Sequence, residues 1–266
     1  MVSRQHDVRA WRPRVPGVAE VFHAHFTEHA YPMHVHDEWT LLIVDNGAVR
    51  YDLNRRECGT PHDTVSLLPP QVPHNGSPAT PHGFRKRVLY LDLSQLDEDL
   101  IGPAVDHPDM VDPLLRRRIA QLHAVLERRG DELEAESRLA LIGERLRGHL
   151  RPRLAVSPPA PGPGVAHSLR ELLDERLLHG VTLDDAAKQV HAHPTHLVRA
   201  FSAAFGIAPH RYLMSRRVDR ARRLLLDGRP PADVATEVGF YDQSHLTRHF
   251  KRFVGVTPGR YARPVR

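Results

Sequence analysis

The chain has 266 residues, 41% of them apolar, and a formal net charge of +5. That length allows one large or two ordinary domains, and that apolar content excludes a globally disordered chain. No apolar run approaches the ~20 residues of a membrane span, and the N-terminal residues lack the apolar core of a secretory signal. With one cysteine, Cys58, no internal disulfide can form, and the expected setting is a reducing cytoplasm.

Residues 18–93 read as short strands divided by turns. Val18–Phe26 alternates, with Val18, Phe22, Ala24 and Phe26 apolar, and Thr40–Val44 is rich in β-formers. Asp45-Asn46-Gly47 signals a turn before Ala48–Leu53, and Thr64–Leu68 and Arg87–Leu93 are further candidates. Short strands at this spacing predict a sandwich or small barrel. His34 and His36 stand two apart, so on a strand both project from one face.

This part of the chain resembles the cupin superfamily, small jelly-roll barrels whose first motif runs HxH, Glu, Gly and whose second ends in a Pro-rich turn and His. His34, His36, Gly47, Gly59, Pro73 and His74 match that pattern. The Glu expected four or five residues after the second His is replaced by Thr40 and Leu41, and Glu38 is offset. Two readings follow for His34, His36 and His74. One is a metal triad, since neutral imidazoles suit transition ions. The other is a metal-free pocket in which they bond a small ligand, with no cofactor; that is the reading adopted here.

Val111–Arg128 and Glu132–Leu150 carry helical apolar patterns broken at Gly130-Asp131. They predict an antiparallel pair that packs on the barrel or forms a homodimer interface. Residues 151–167, with SPPAPGPG at their centre, read as a Pro-rich linker. The expected division is therefore a cupin-like barrel at 1–105, a helical pair at 106–150, a linker at 151–167 and an all-α domain at 168–266. The fold class is α+β multidomain.

Charge follows that division. Residues 168–266 hold 17 Lys and Arg against 10 Asp and Glu, a net of +7, while residues 1–167 carry −2. A basic half beside a mildly acidic one points to a polyanion as partner of the C-terminal part alone.

In that part, a helix is predicted at Leu169–Leu178, then one from Thr182 with Asp185 completing a capping-box variant. Ala186, Ala187 and Val190 form its inner side. After a turn at His191–His193, Pro194 opens Thr195–Phe205, with Leu197, Phe201 and Phe205 as its core stripe. Arg211–Leu226 is a longer helix. Ala235 and Val238 begin a second short helix that Gly239 stops. Asp242 caps Gln243–Phe253, whose Leu246, Phe250 and Phe253 recur at i, i+4, i+7. His196–Phe201 aligns with His245–Phe250, and Gly206 with Gly255, at an offset of 49. Two helix-turn-helix units joined by one long helix can place two recognition helices in successive major grooves, ~34 Å apart.

The repeat, the Tyr212…Arg217…Ala221…Leu224-Leu225 helix, the segment Val238–Lys251 and the closing Phe253…Gly255-Val256-Thr257-Pro258…Tyr261 resemble the AraC/XylS family of bacterial transcription regulators. The family commonly fuses this domain to an N-terminal cupin sensor and a helical pair, the order found here. The resemblance implies a regulator that is not an enzyme, acting on double-stranded DNA under a small-molecule effector, with RNA polymerase as a further partner and no membrane. It places base-reading positions on Thr195, Val198 and Arg199 and on Gln243, Ser244, Thr247 and Arg248. Arg199 and Arg248 can fork onto guanine, Gln243 can pair with adenine, and Val198 can touch a thymine methyl. Arg217, Lys251 and Arg252 are expected at phosphates. A competing reading is a cupin metalloenzyme with an accessory nucleic-acid-binding domain. A third is a structural DNA-bending protein.

Overall fold

The computed structural model describes residues 7–54, 56–151 and 163–262. The chain forms two compact units, Met1–Leu126 with Leu141–Ser157, and Glu127–Ala140 with Pro158–Arg266.

The first unit is built on ten strands, β1 (Asp7–Trp11), β2 (Val18–Phe26), β3 (Tyr31–His34), β4 (Trp39–Gly47), β5 (Val49–Leu53), β6 (Arg56–Thr60), β7 (Val65–Leu68), β8 (His74–Pro78), β9 (Phe84–Leu91) and β10 (Asp109–Met110). They form a six-stranded sheet, β1-β2-β9-β4-β7-β10, and a four-stranded sheet, β3-β8-β5-β6. All paired strands are antiparallel. One core joins the sheets: Ala24, Phe26, Leu42, Val44, Phe84 and Val88 from the larger meet Val49, Tyr51 and Leu53 from the smaller. The run Trp39–Val44 is buried at every position. It reads as continuous apolar sequence because its second face is covered as well, by α2 (Pro113–Leu126), which buries Leu115, Ile119 and Leu122. A short helix, α1 (Ile101–Asp106), precedes it.

Register fixes which side chains enter the barrel. Lys86 lies opposite Ala24 and Val44, Val88 opposite Phe22 and Leu42, and Tyr90 opposite Glu20 and Thr40. With period-2 alternation all of these share one face. The chain returns to this sheet through Gly83, at φ +74°, where a Cβ would stand 1.9 Å from the Phe26 carbonyl oxygen. Only glycine fits there.

The strands expected from sequence lie within one to three residues of those observed. The edge strands β1, β3, β6 and β10 and the inner strand β8 are additional. They are short or carry Pro, Gly and charge, so they show little alternation. The helix α3 (Glu132–Leu150) has the expected bounds, yet it is shared between the units, residues 132–140 with the second and 141–150 with the first. The pair 106–150 is therefore not one module.

The second unit continues with α4 (Pro163–Glu175), α5 (Leu183–Val190), α6 (Pro194–Phe205), α7 (Pro209–Leu226), α8 (Pro231–Glu237), α9 (Gln243–Val254) and α10 (Pro258–Tyr261). Of the expected linker, residues 152–162 lie outside the described residues. Its last part, from Pro163, is already helical, because Ala166 joins Leu169 and Leu173 in a buried stripe at i, i+3, i+7.

Asp112 ties α2 to the C-terminal half of α3. Its buried carboxylate accepts from the Leu114 and Leu115 amides (3.1 and 3.0 Å), capping α2, and also from Arg145 and from His149 Nε2 at 2.6 Å. Asp112→Ala should destabilise the first unit by about 2–3 kcal/mol through loss of the cap and the buried pair. Both tryptophans, Trp11 and Trp39, are in that unit, so urea unfolding followed by tryptophan fluorescence measures it. An unchanged midpoint would remove Asp112 from this role.

Candidate functional site

α9 is specified at both ends. Asp242 accepts from the His245 amide (2.6 Å), and Gly255 closes the helix at φ 88°. Leu246 and Phe250 are buried as expected, but Phe253 is 40% exposed. The buried face turns the other way, onto His245 and His249, which are 2% and 4% exposed. Sequence reading passed over that pair, although two histidines at i, i+4 necessarily share a face.

Both imidazoles converge on Asp131, the residue before α3. His245 Nε2 and His249 Nε2 lie 3.0 and 2.8 Å from its Oδ1, and Arg248 donates to its Oδ2. Burial alone would raise the Asp131 pKa. Hydrogen bonds from the two histidines, and their charge, more than reverse this and hold the carboxyl well below the usual range. Asp131, His245 and His249 could by proximity hold a metal ion. The hydrogen bonding opposes it: the Tyr241 N–H donates to His245 Nδ1 at 3.2 Å. Neutral His245 therefore keeps its proton on Nε2, the atom a metal would need bare. The cluster is a hydrogen-bonded clamp on α9.

Of the four expected base-reading residues here, Gln243 and Ser244 are exposed, and Thr247 and Arg248 half-exposed. Lys251 and Arg252 are exposed on the following turn. In the first helix-turn-helix unit, α5 is capped by Thr182 Oγ1, which accepts from the Asp185 amide at 3.0 Å. Of the three expected readers on α6, only Arg199 is exposed. Thr195 and Val198 are 6% and 3% exposed, and the Thr195 hydroxyl donates to the Ala140 carbonyl at 3.3 Å. The two sets of expected readers are thus unequally presented. Arg217, expected at a phosphate, is 5% exposed and its Nε donates to the Leu177 carbonyl at 2.7 Å. Burial lowers its pKa to about 10. It joins α7 to the turn that follows α4 and is not available to DNA in this structure.

The barrel holds a cavity of about 290 Å³, lined among others by Phe22, Tyr31, Thr40, Leu42, Lys86 and Tyr90. His34, His36 and His74 all reach it, and their rings touch, with centroids 4.5–5.2 Å apart. His34 Nδ1 donates to the Pro32 carbonyl (2.7 Å) and His74 Nδ1 to the Val72 carbonyl (3.0 Å), which leaves both Nε2 atoms bare. His36 Nε2 lies 3.2 Å from His34 Nε2. The three candidate donor atoms lie within 4.8 Å of one another. They fit a three-nitrogen metal set, and equally a ligand's hydrogen-bond donors. Burial, then the neighbouring His74, His34 and Lys86, lower the His36 pKa to about 4. Burial lowers Lys86 to about 8.

Two family models match the chain, one for AraC-like ligand binding domains over residues 16–142 and one for helix-turn-helix domains over residues 186–264. The chain belongs to the AraC family of transcription regulators. Among the relatives of this AraC-family chain is YbfI of Bacillus subtilis, an HTH-type transcriptional regulator, 34% identical over 133 residues. VirF of Yersinia enterocolitica, a virulence regulon transcriptional activator, is 29% identical over 235 residues, or 84% of this chain and 80% of that one. The match to YbfI spans 50% of this chain and 48% of that protein, so about half its length. A solved structure, the C-terminal domain of AraT, a response regulator from Geobacillus stearothermophilus, is 26% identical, covering 40% of this chain and 90% of that one, with a TM-score of 0.36. Among the described residues of the AraC-family chain, no helix is long and apolar enough to cross a membrane.

The buried histidines set a pH dependence. His36, His74, His123, His210 and His245 all have pKa values lowered chiefly by burial. In the unfolded chain each takes a proton near pH ~6.5. Below that pH the unfolded state binds more protons than the folded one, so stability falls as pH drops from ~6.5 toward ~4. Glu136 opposes this, since burial pushes it up to about 7. The melting temperature of the full chain should fall between pH 7.5 and pH 5. Glu136→Gln should steepen the fall, and a flat profile in both proteins would contradict the assignment.

Proposed function

We propose that the chain is a sequence-specific DNA-binding transcription regulator whose DNA reading is set by a small molecule in the barrel. The observation that carries this is the pair of helix-turn-helix units, α5–α6 and α8–α9, joined by α7. At ~1.5 Å per residue its 18 residues span roughly 27 Å, a length compatible with recognition helices in successive grooves. Double-stranded DNA is the partner, met by the basic second unit. RNA polymerase is a further partner, and the sign of regulation is activation, as in the name of the VirF relative. The chain acts in the cytoplasm and dimerises through its helical pair.

On DNA, Gln243, Ser244, Thr247 and Arg248 read bases in one groove, while Lys251 and Arg252 neutralise phosphates. In the other groove Arg199 is the main reader, with Thr195 and Val198 at the contact edge. Arg248 must exchange Asp131 for a guanine edge, so the clamp competes with the base.

Three outcomes test this. Arg248→Ala should weaken specific binding by roughly 1–3 kcal/mol and relax base preference at one position. Asp131→Asn, which removes the competing charge and keeps an acceptor, should act in the opposite direction. An equal loss on every sequence with Arg248→Ala would make that side chain a phosphate contact. Full-chain binding should also weaken steeply between ~50 and ~200 mM salt, and salt-independent binding would count against the whole proposal. Mapping the bound genomic sites identifies the regulon.

A further inference from the structure

We propose that the barrel binds a small organic anion, a carboxylate on a compact apolar body, with Lys86 as its counter-ion. This rests on the reading of the barrel as an effector pocket, and it names what that pocket takes.

Lys86 points from β9 into the barrel and has no carboxylate partner among the described residues. Its ammonium stands over aromatic faces instead, 4.2 Å from the centroid of Tyr31, 5.7 Å from Phe22 and 5.9 Å from Phe84. Aromatic faces offset part of the desolvation of a cation, but a buried charge is normally paired. The rest of this polar wall, His34, His36 and His74, also offers no negative charge. Two hydroxyls complete the picture. Tyr31 Oη and Thr40 Oγ1 both face the cavity, both are buried, and neither has a hydrogen-bond partner among the described residues. Thr40 is only 5% exposed. Buried hydroxyls left unbonded are uncommon in a finished interior. One cation and two hydroxyls without partners are what an oxyanion with a further polar group would complete.

The remaining walls set the body of the ligand. Phe22, Leu42, Leu68 and Val88 are apolar, and about 290 Å³ is at the small end of the range for ligand pockets. Glu20 and Glu38 stand at the far end, where they act on Tyr90. Tyr90 is four residues from Lys86, ~13 Å along the strand. Arg12 also lines that end, held on the Ala19 carbonyl, so two carboxylates and one guanidinium leave it net negative, and an anion is favoured at Lys86. The residue choice is itself informative. Only three lysines, Lys86, Lys188 and Lys251, stand among 37 basic side chains, and one of them is in the barrel. A lysine presents a compact point charge there, where an arginine would fill the cavity with its planar fork.

The test uses the full chain with lysine labelled at ¹³Cε and ¹⁵Nζ, so that three side chains give three signals. Phenylacetate and hexanoate are titrated against their neutral matches, phenylacetamide and hexanamide, with acetate as the minimal anion. The carboxylates should move the Lys86 signal and leave Lys188 and Lys251 in place, with the amides binding at least about tenfold more weakly. Lys86→Met, checked by its tryptophan-monitored unfolding, should abolish the preference for carboxylate over amide. If that variant does not fold, the wild-type comparison still decides. Amides binding as well as carboxylates, or a Lys86 signal unmoved by every carboxylate including acetate, would overturn the anion site. DNA affinity is read in parallel. Carboxylates that fill the Lys86 site without changing DNA binding uphold the anion site and remove the effector reading. A neutral polyol that changes DNA binding and leaves Lys86 unmoved does the reverse.

Discussion

The carboxylate of Asp131 is the interaction on which the recognition helix α9 depends. It is buried, which for an isolated charge would be prohibitive, and it is tolerated because three side chains of one helix supply its donors. Two imidazoles bond one oxygen and a guanidinium the other. The same arrangement lets His245 and His249 be interior, so α9 is held on two adjacent stripes, Leu246 with Phe250 on one and the histidines on the other. Arg248 stands at the margin of that clamp. A side chain proposed to read guanine is thus held by a carboxylate, which it would have to leave on DNA.

Much of this was legible in the sequence, and the parts that were not share a cause. Helix ends were readable because caps are local: Thr182, Asp242, Gly206 and Gly255 act within a turn of themselves. The strand Val18–Phe26 was readable because burial leaves a period, and Thr40–Val44 because it is an unbroken run of β-formers. The burial of Arg217, Thr195 and Val198 was not legible, because tertiary packing decides it. Arg217 and Thr195 bond the Leu177 and Ala140 carbonyls, and Val198 is buried in the core of its unit, none of which a local pattern encodes. Phe253 was placed in the core by spacing, but the helix turns its histidines inward instead. The split of α3 was equally hidden. Glu134 and Glu136 look like a solvated face, yet both are buried, and Glu136 accepts from the Leu183 amide.

In the barrel, the matched positions His34, His36 and His74 do come together, and the offset Glu38 also lines the cavity. The resemblance to cupins drew attention to the histidines alone. The register of β9 adds what the motif omits, a lysine among aromatic rings at one end, while Glu20 and Glu38 outnumber Arg12 at the other. A pocket with separated poles discriminates by orientation as well as by size.

The short stretch from Asp131 to Ala140 has a consequence beyond the clamp. It touches both reading helices of its unit: Asp131 holds α9, Glu136 meets the start of α5, and Ala140 accepts from Thr195 on α6. α7 is therefore not the sole link between the two heads. The stretch acts as a splint across them and fixes their phase as well as their separation. One inserted base pair turns a half-site by roughly 34° about the duplex axis, given ~10.5 base pairs per turn. While the splint is seated, a rigid pair of heads would tolerate such a shift poorly, so the proposed DNA reading makes operator spacing depend in part on this stretch.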